Sequence, residues 1–135
     1  MIFGTINNEE QKLRSKRAQL IVDLRNLVYA DAELMEDFGN NGCDYCGADD
    51  GHEEHCVFAD AFGILLQDRA NGIEGIKAEA LEIRDALVML LSADYHLMGT
   101  LADCAYCGSA YSHKGNCVFN DALETIIRIP RNDFI

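Results

Sequence analysis

Along the N-terminal third of the chain, apolar positions recur at helical spacing. Leu13, Leu20, Leu24, Leu27, Leu34 and Phe38 fall at steps of three, four and seven, and Ile21, Val28 and Met35 widen the stripe. The pattern predicts a long amphipathic helix over 9–38, with Asn8 as N-cap, Glu9 and Glu10 in the first turn and Gly39 placed to stop it. A second stripe, Ile76, Ala80, Ile83, Leu87, Leu90 and Leu91, predicts a helix over 74–98 that ends at Gly99. Two shorter helices are expected, one carrying Phe58, Phe62 and Leu65, the other Phe119, Leu123, Ile126 and Ile127, with Pro130 closing the last. No stretch sustains period-two alternation, so the expected fold class is all-α.

Shifting the sequence on itself by 61 residues aligns Tyr45-Cys46-Gly47 with Tyr106-Cys107-Gly108, and Cys56-Val57-Phe58-Ala59-Asp60-Ala61 with Cys117-Val118-Phe119-Asn120-Asp121-Ala122. The chain therefore reads as a tandem duplication of long helix, zinc-binding loop and short helix. The expected units are 1–72 and 73–135, joined near Asn71-Gly72 and packed together as one zinc-stapled helical bundle. In that bundle each loop turns its long helix back on its own short helix. Leftover apolar stripe leaves room for a homodimer.

The shared pattern is Cys-x2-Cys-Gly-x5-His-x3-Cys, and it suits zinc. A Cys-x2-Cys turn offers two sulfurs from one tight loop, with Gly47 and Gly108 letting the loop close. A His-x3-Cys pair on a starting helix shares one face. The candidate ligands are Cys43, Cys46, His52 and Cys56 in the first set, and Cys104, Cys107, His113 and Cys117 in the second. Four protein ligands leave no open position, so the two Zn2+ are expected to be structural, each supplying on the order of 10–16 kcal/mol of apparent folding free energy. His55 aligns with Asn116 and reads as an exposed polar residue, and His96 as a helix-end or surface histidine. Tyr45 and Tyr106 are expected to cover the metal and touch the following helix, and Phe58 and Phe119 to lie in the core.

Composition changes this picture mainly through charge. Of the 135 residues 49% are hydrophobic, enough for a folded core, but the formal net charge is −12. Residues 31–60 hold ten Asp or Glu and no Lys or Arg, which would repel a phosphate backbone. No stretch approaches the length of a membrane span, Met1-Ile2-Phe3-Gly4 lacks a secretory pattern, and the cysteine clusters differ from a secreted disulfide framework. These features lead to the expectation of a cytoplasmic protein that does not engage membranes.

The ligand spacing resembles that of the small CCHC zinc modules, of which the retroviral zinc knuckle is the familiar case. Knuckles carry basic residues and an aromatic just after the first cysteine, where this chain has Asp44 and Ala105. A closer resemblance is to zinc-motif segments of small bacteriophage proteins, in which a CxxCG turn precedes a His-x3-Cys helix start; it covers about a third of the chain. The resemblance implies a phage-type accessory protein, acting in the host-cell cytoplasm if phage-encoded.

No phosphate-cradling loop, nucleophile elbow or paired-carboxylate signature is visible, so no enzymatic activity is expected. The expected function is protein–protein interaction with a basic partner through an acidic surface at Asp44, Asp49, Asp50, Glu53 and Glu54, in the manner of an inhibitor that covers the groove of a host nucleic-acid-handling or defence protein. The alternative is a nucleic-acid-binding knuckle module that uses the basic cluster Lys12, Arg14, Lys16 and Arg17.

Overall fold

A computed structural model describes residues 8–37, 45, 56–98, 104, 106 and 117–135. Four α-helices, α1 (Asn8–Asp37), α2 (Val57–Leu65), α3 (Ile73–Met98) and α4 (Val118–Arg128), are followed by a 3-10 turn at Arg131–Phe134. The described residues contain no strand, and the fold is all-α. No helix among them is long and apolar enough to cross a membrane.

The two apolar stripes become the core. Leu13, Leu20, Leu24, Leu27 and Val28 on α1 and Ile76, Ala80, Ile83, Leu87, Leu90 and Leu91 on α3 are buried, and the two long helices pack on each other. Leu34 is half-buried, and Phe38 and Gly39 lie outside the described residues. The helices begin one residue earlier than expected, at Asn8 and Ile73. At the start of α3, Gly72 takes φ 82°, a left-handed conformation that L side chains rarely adopt, and its carbonyl accepts the Ile76 N–H at 2.9 Å.

The short helices depart from expectation in which face they bury. α2 buries Phe58, Ala61 and Ile64, while Phe62 stands 43% exposed; α4 buries Phe119, Ala122 and Thr125, while Leu123 and Ile127 are exposed. The buried positions follow the i, i+3, i+6 spacing that starts from each phenylalanine. α4 ends at Arg128 ahead of Pro130, which opens the 3-10 turn that buries Phe134.

Their partners also differ. α4 packs more extensively on α1 than on α3, and α2 packs more on α3 than on α1. Each short helix thus lies mainly against the long helix of the other half. Thr125 donates its hydroxyl to Oδ2 of the buried Asp23, fastening α4 to α1, whereas α2 and α3 bury Ile64 and Ala86 beside the hollow between them. Arg17, 6% exposed, ties α1 to the beginning of α3 with an ion pair to Glu79 at 3.0 Å and a 2.7 Å bond to the Ala70 carbonyl.

Candidate metal centres and the buried tyrosine–aspartate cluster

Of the eight proposed ligands, Cys56, Cys104 and Cys117 are described; Cys43, Cys46, His52, Cys107 and His113 lie outside the described residues. Cys56 and Cys117 are buried and stand at the N-caps of α2 and α4 in closely similar conformations, φ −64° ψ 120° and φ −71° ψ 115°. Their carbonyls accept the Asp60 and Asp121 N–H groups at 2.9 Å. Both cysteines therefore sit at the positive end of a helix dipole, which favours an anionic ligand.

Cys104 Sγ lies 3.7 Å from Cys117 Sγ. That is far beyond the roughly 2.05 Å of a disulfide. It matches the separation of two thiolates on one tetrahedral zinc, about 3.8 Å for Zn–S bonds of about 2.3 Å. The two described sulfurs are thus spaced as either an S–H···S contact or a pair of thiolates on one zinc would require. Among the described residues alone, no group of three or more His, Cys, Asp or Glu side chains comes together as a metal site.

The tyrosines of the two Cys-x2-Cys turns pack as expected on the helices that follow. Tyr45 stacks on Phe58 and Tyr106 on Phe119, each with ring centroids 5.5 Å apart and planes 11° from parallel. Their hydroxyls reach across the molecule. Tyr45 donates to Oδ1 of Asp94 on α3 at 2.5 Å, and Tyr106 donates to Oδ1 of Asp31 on α1. Both aspartates are 1% exposed. Burial, and then the neighbouring carboxyl, hold Asp31 far above the ordinary carboxylate range; burial raises Asp94 as well.

Sequence reasoning passed over this pair, although a signal was present. Asp31 follows Leu27 and Val28 on the apolar face of α1, and Asp94 follows Leu90 and Leu91 at the same place on α3. The helices correspond at a shift of 63 residues, two more than the 61 of the ligands, so a single-offset comparison misaligns them.

The proposed partner surface at Asp44, Asp49, Asp50, Glu53 and Glu54 lies outside the described residues. A different acidic hollow is described between α2 and α3, with a volume of about 490 Å³, where Asp60, Glu82 and Asp85 surround Val57 and Met89. The basic cluster of α1 is largely consumed by intramolecular pairing: Arg14 with Glu10 at 2.8 Å, Lys16 with Asp133 at 3.0 Å, and Arg17 with Glu79. His96 is exposed in the last turn of α3. Comparison with protein-family models, with curated proteins and with solved structures finds no match for this chain.

Proposed function

We propose that this chain is a non-catalytic protein built by tandem duplication, holding two structural Zn2+ and acting by binding another protein. The observation that carries the reading is the 3.7 Å separation of Cys104 and Cys117 Sγ, at a helix N-terminus whose counterpart Cys56 has the same backbone setting. Cys43, Cys46, His52 and Cys56 would hold one ion, and Cys104, Cys107, His113 and Cys117 the other. When bound, zinc supplies cross-linking of each turn to the following helix, with no position left for substrate.

The partner fits a basic surface. The chain carries a net charge of −12, and the α2–α3 hollow joins Asp60, Glu82 and Asp85, the last already held by Arg131 at 3.3 Å, to apolar lining, a combination that attracts basic side chains and buries their stems. The phage-type resemblance extends this to an inhibitor that covers the nucleic-acid groove of a host protein. A direct nucleic-acid role is disfavoured, because three of the four cations in its candidate cluster already serve ion pairs within the fold.

Two measurements test the proposal. Elemental analysis of the purified chain should return two zinc per chain; none would remove the metal reading. Affinity capture from bacterial lysate with nuclease present should recover one basic, nucleic-acid-handling protein. Recovery of nucleic acid without nuclease, and of no protein with it, would transfer the assignment to the basic end of α1.

A further inference from the structure

In the cluster formed by Asp31, Asp94, Tyr45 and Tyr106, acidic groups from both halves meet in the interior. One oxygen of each carboxyl accepts a tyrosine hydroxyl. The other oxygen of each, Oδ2, is buried and meets no donor among the described residues. The groups that face the pair are Asp31 from α1, Asp94 from α3 and the two turn tyrosines; α2 and α4 add the stacked rings of Phe58 and Phe119, and no described cation compensates.

Two ionised carboxylates would be two uncompensated buried charges of the same sign, at a cost of several kcal/mol per ion by desolvation alone. A single proton cures both defects at once. It removes one charge and turns one carboxyl into a donor for the other, which lies within side-chain hydrogen-bonding reach. We propose that Asp31 and Asp94 hold one proton between them and that this shared proton is a pH-operated clasp joining the two halves of the molecule.

The clasp has a definite pH sense. Asp31 is pushed up to about 9 by burial and by Asp94, against 3.8 for the unburied group. Both tyrosines, raised further by burial and by the carboxyl charges, remain protonated donors throughout this range. Between these limits the folded chain holds a proton that the unfolded chain has lost. The stabilisation is complete below the unfolded value, declines as pH rises, and is exhausted above about 9.

The test compares denaturant unfolding of the whole chain with that of Asp31→Asn from pH 5 to 9. The asparagine amide supplies a permanent donor to Asp94 and still accepts from Tyr106, but does not titrate. Proton linkage at cysteines or a bound metal is common to both chains and cancels in their ratio. The ratio of folding constants, wild type over variant, should fall about tenfold per pH unit. Parallel pH profiles would overturn the clasp. Carbon-13 NMR of the wild-type aspartate carboxyls decides independently of whether the variant folds. One carboxyl with the shift of a protonated acid at pH 7 supports the proposal; all carboxyls titrating in the ordinary range refutes it. Neither readout depends on zinc content or partner capture.

Discussion

At the scale of single residues, the polar groups inside this protein act across the two halves. Tyr106 combines a ring stacked on Phe119 with a hydroxyl that satisfies Asp31, so removing only the hydroxyl isolates the second role. Tyr106→Phe should destabilise the fold by about 1–3 kcal/mol in urea titration, because a buried carboxyl oxygen loses its donor while the ring contact stays. Arg17 and Lys16 are adjacent in sequence and unlike in setting. The Arg17–Glu79 side chains are 7% and 10% exposed, those of Lys16–Asp133 38% and 29%. Arg17→Ala should therefore cost about 3 kcal/mol, since the buried Glu79 would lose its shorter ion pair and keep only the Ala70 N–H at 2.9 Å and the longer 3.4 Å contact to Arg69, whereas Lys16→Ala should change stability by less than about 1 kcal/mol. Equal effects in thermal or chemical unfolding would contradict this division of the basic cluster.

At the scale of elements, the two long helices were legible because their apolar stripes repeat over several turns. Leu13, Leu20, Leu24, Leu27 and Val28 on α1 and Ile76, Ala80, Ile83, Leu87, Leu90 and Leu91 on α3 are buried, and Ile21, at the margin of the α1 stripe, is half-buried. The short helices were legible in extent but not in face. With so few turns, Phe62 and Leu123 fit an apolar stripe as well as Ala61 and Ala122 do, and only the surface each helix packs against selects between them. Leu87→Ala, at a fully buried site in the α1–α3 seam, should cost about 2–5 kcal/mol, while Leu66→Ala, at a site 73% exposed just after α2, should stay within about 0.5 kcal/mol, both read by denaturant midpoints. Gly72→Ala places a Cβ on a left-handed residue with open space around it, so backbone strain alone should cost about 1 kcal/mol.

At the scale of the whole molecule, the halves exchange support. Each long helix receives the other half's short helix and the other half's turn tyrosine. Two independent units would unfold one at a time on loss of a single metal site. The crossed packing instead predicts that Cys117→Ser, aimed at the second site alone, lowers the stability of all four helices in one cooperative transition by circular dichroism. A strong chelator should do the same to the wild-type chain if zinc staples both turns. Two separated transitions in Cys117→Ser would show that each half stands alone.

The sequence by itself determined the helices, the apolar stripes and the recurrence of the Cys-x2-Cys and His-x3-Cys spacing, because helix periodicity and side-chain spacing are local properties written within a few residues of each other. It could not determine which long helix each short helix lies against, since the apolar faces of both halves are chemically alike. Nor could it reveal that Asp31 meets Asp94: the stripe places each on the apolar face of its helix, but what it faces is decided only when the α1–α3 seam and the two tyrosines close over it. Burial and mutual proximity, which turn two soluble carboxyls into a pair short of one proton, exist only in the tertiary structure.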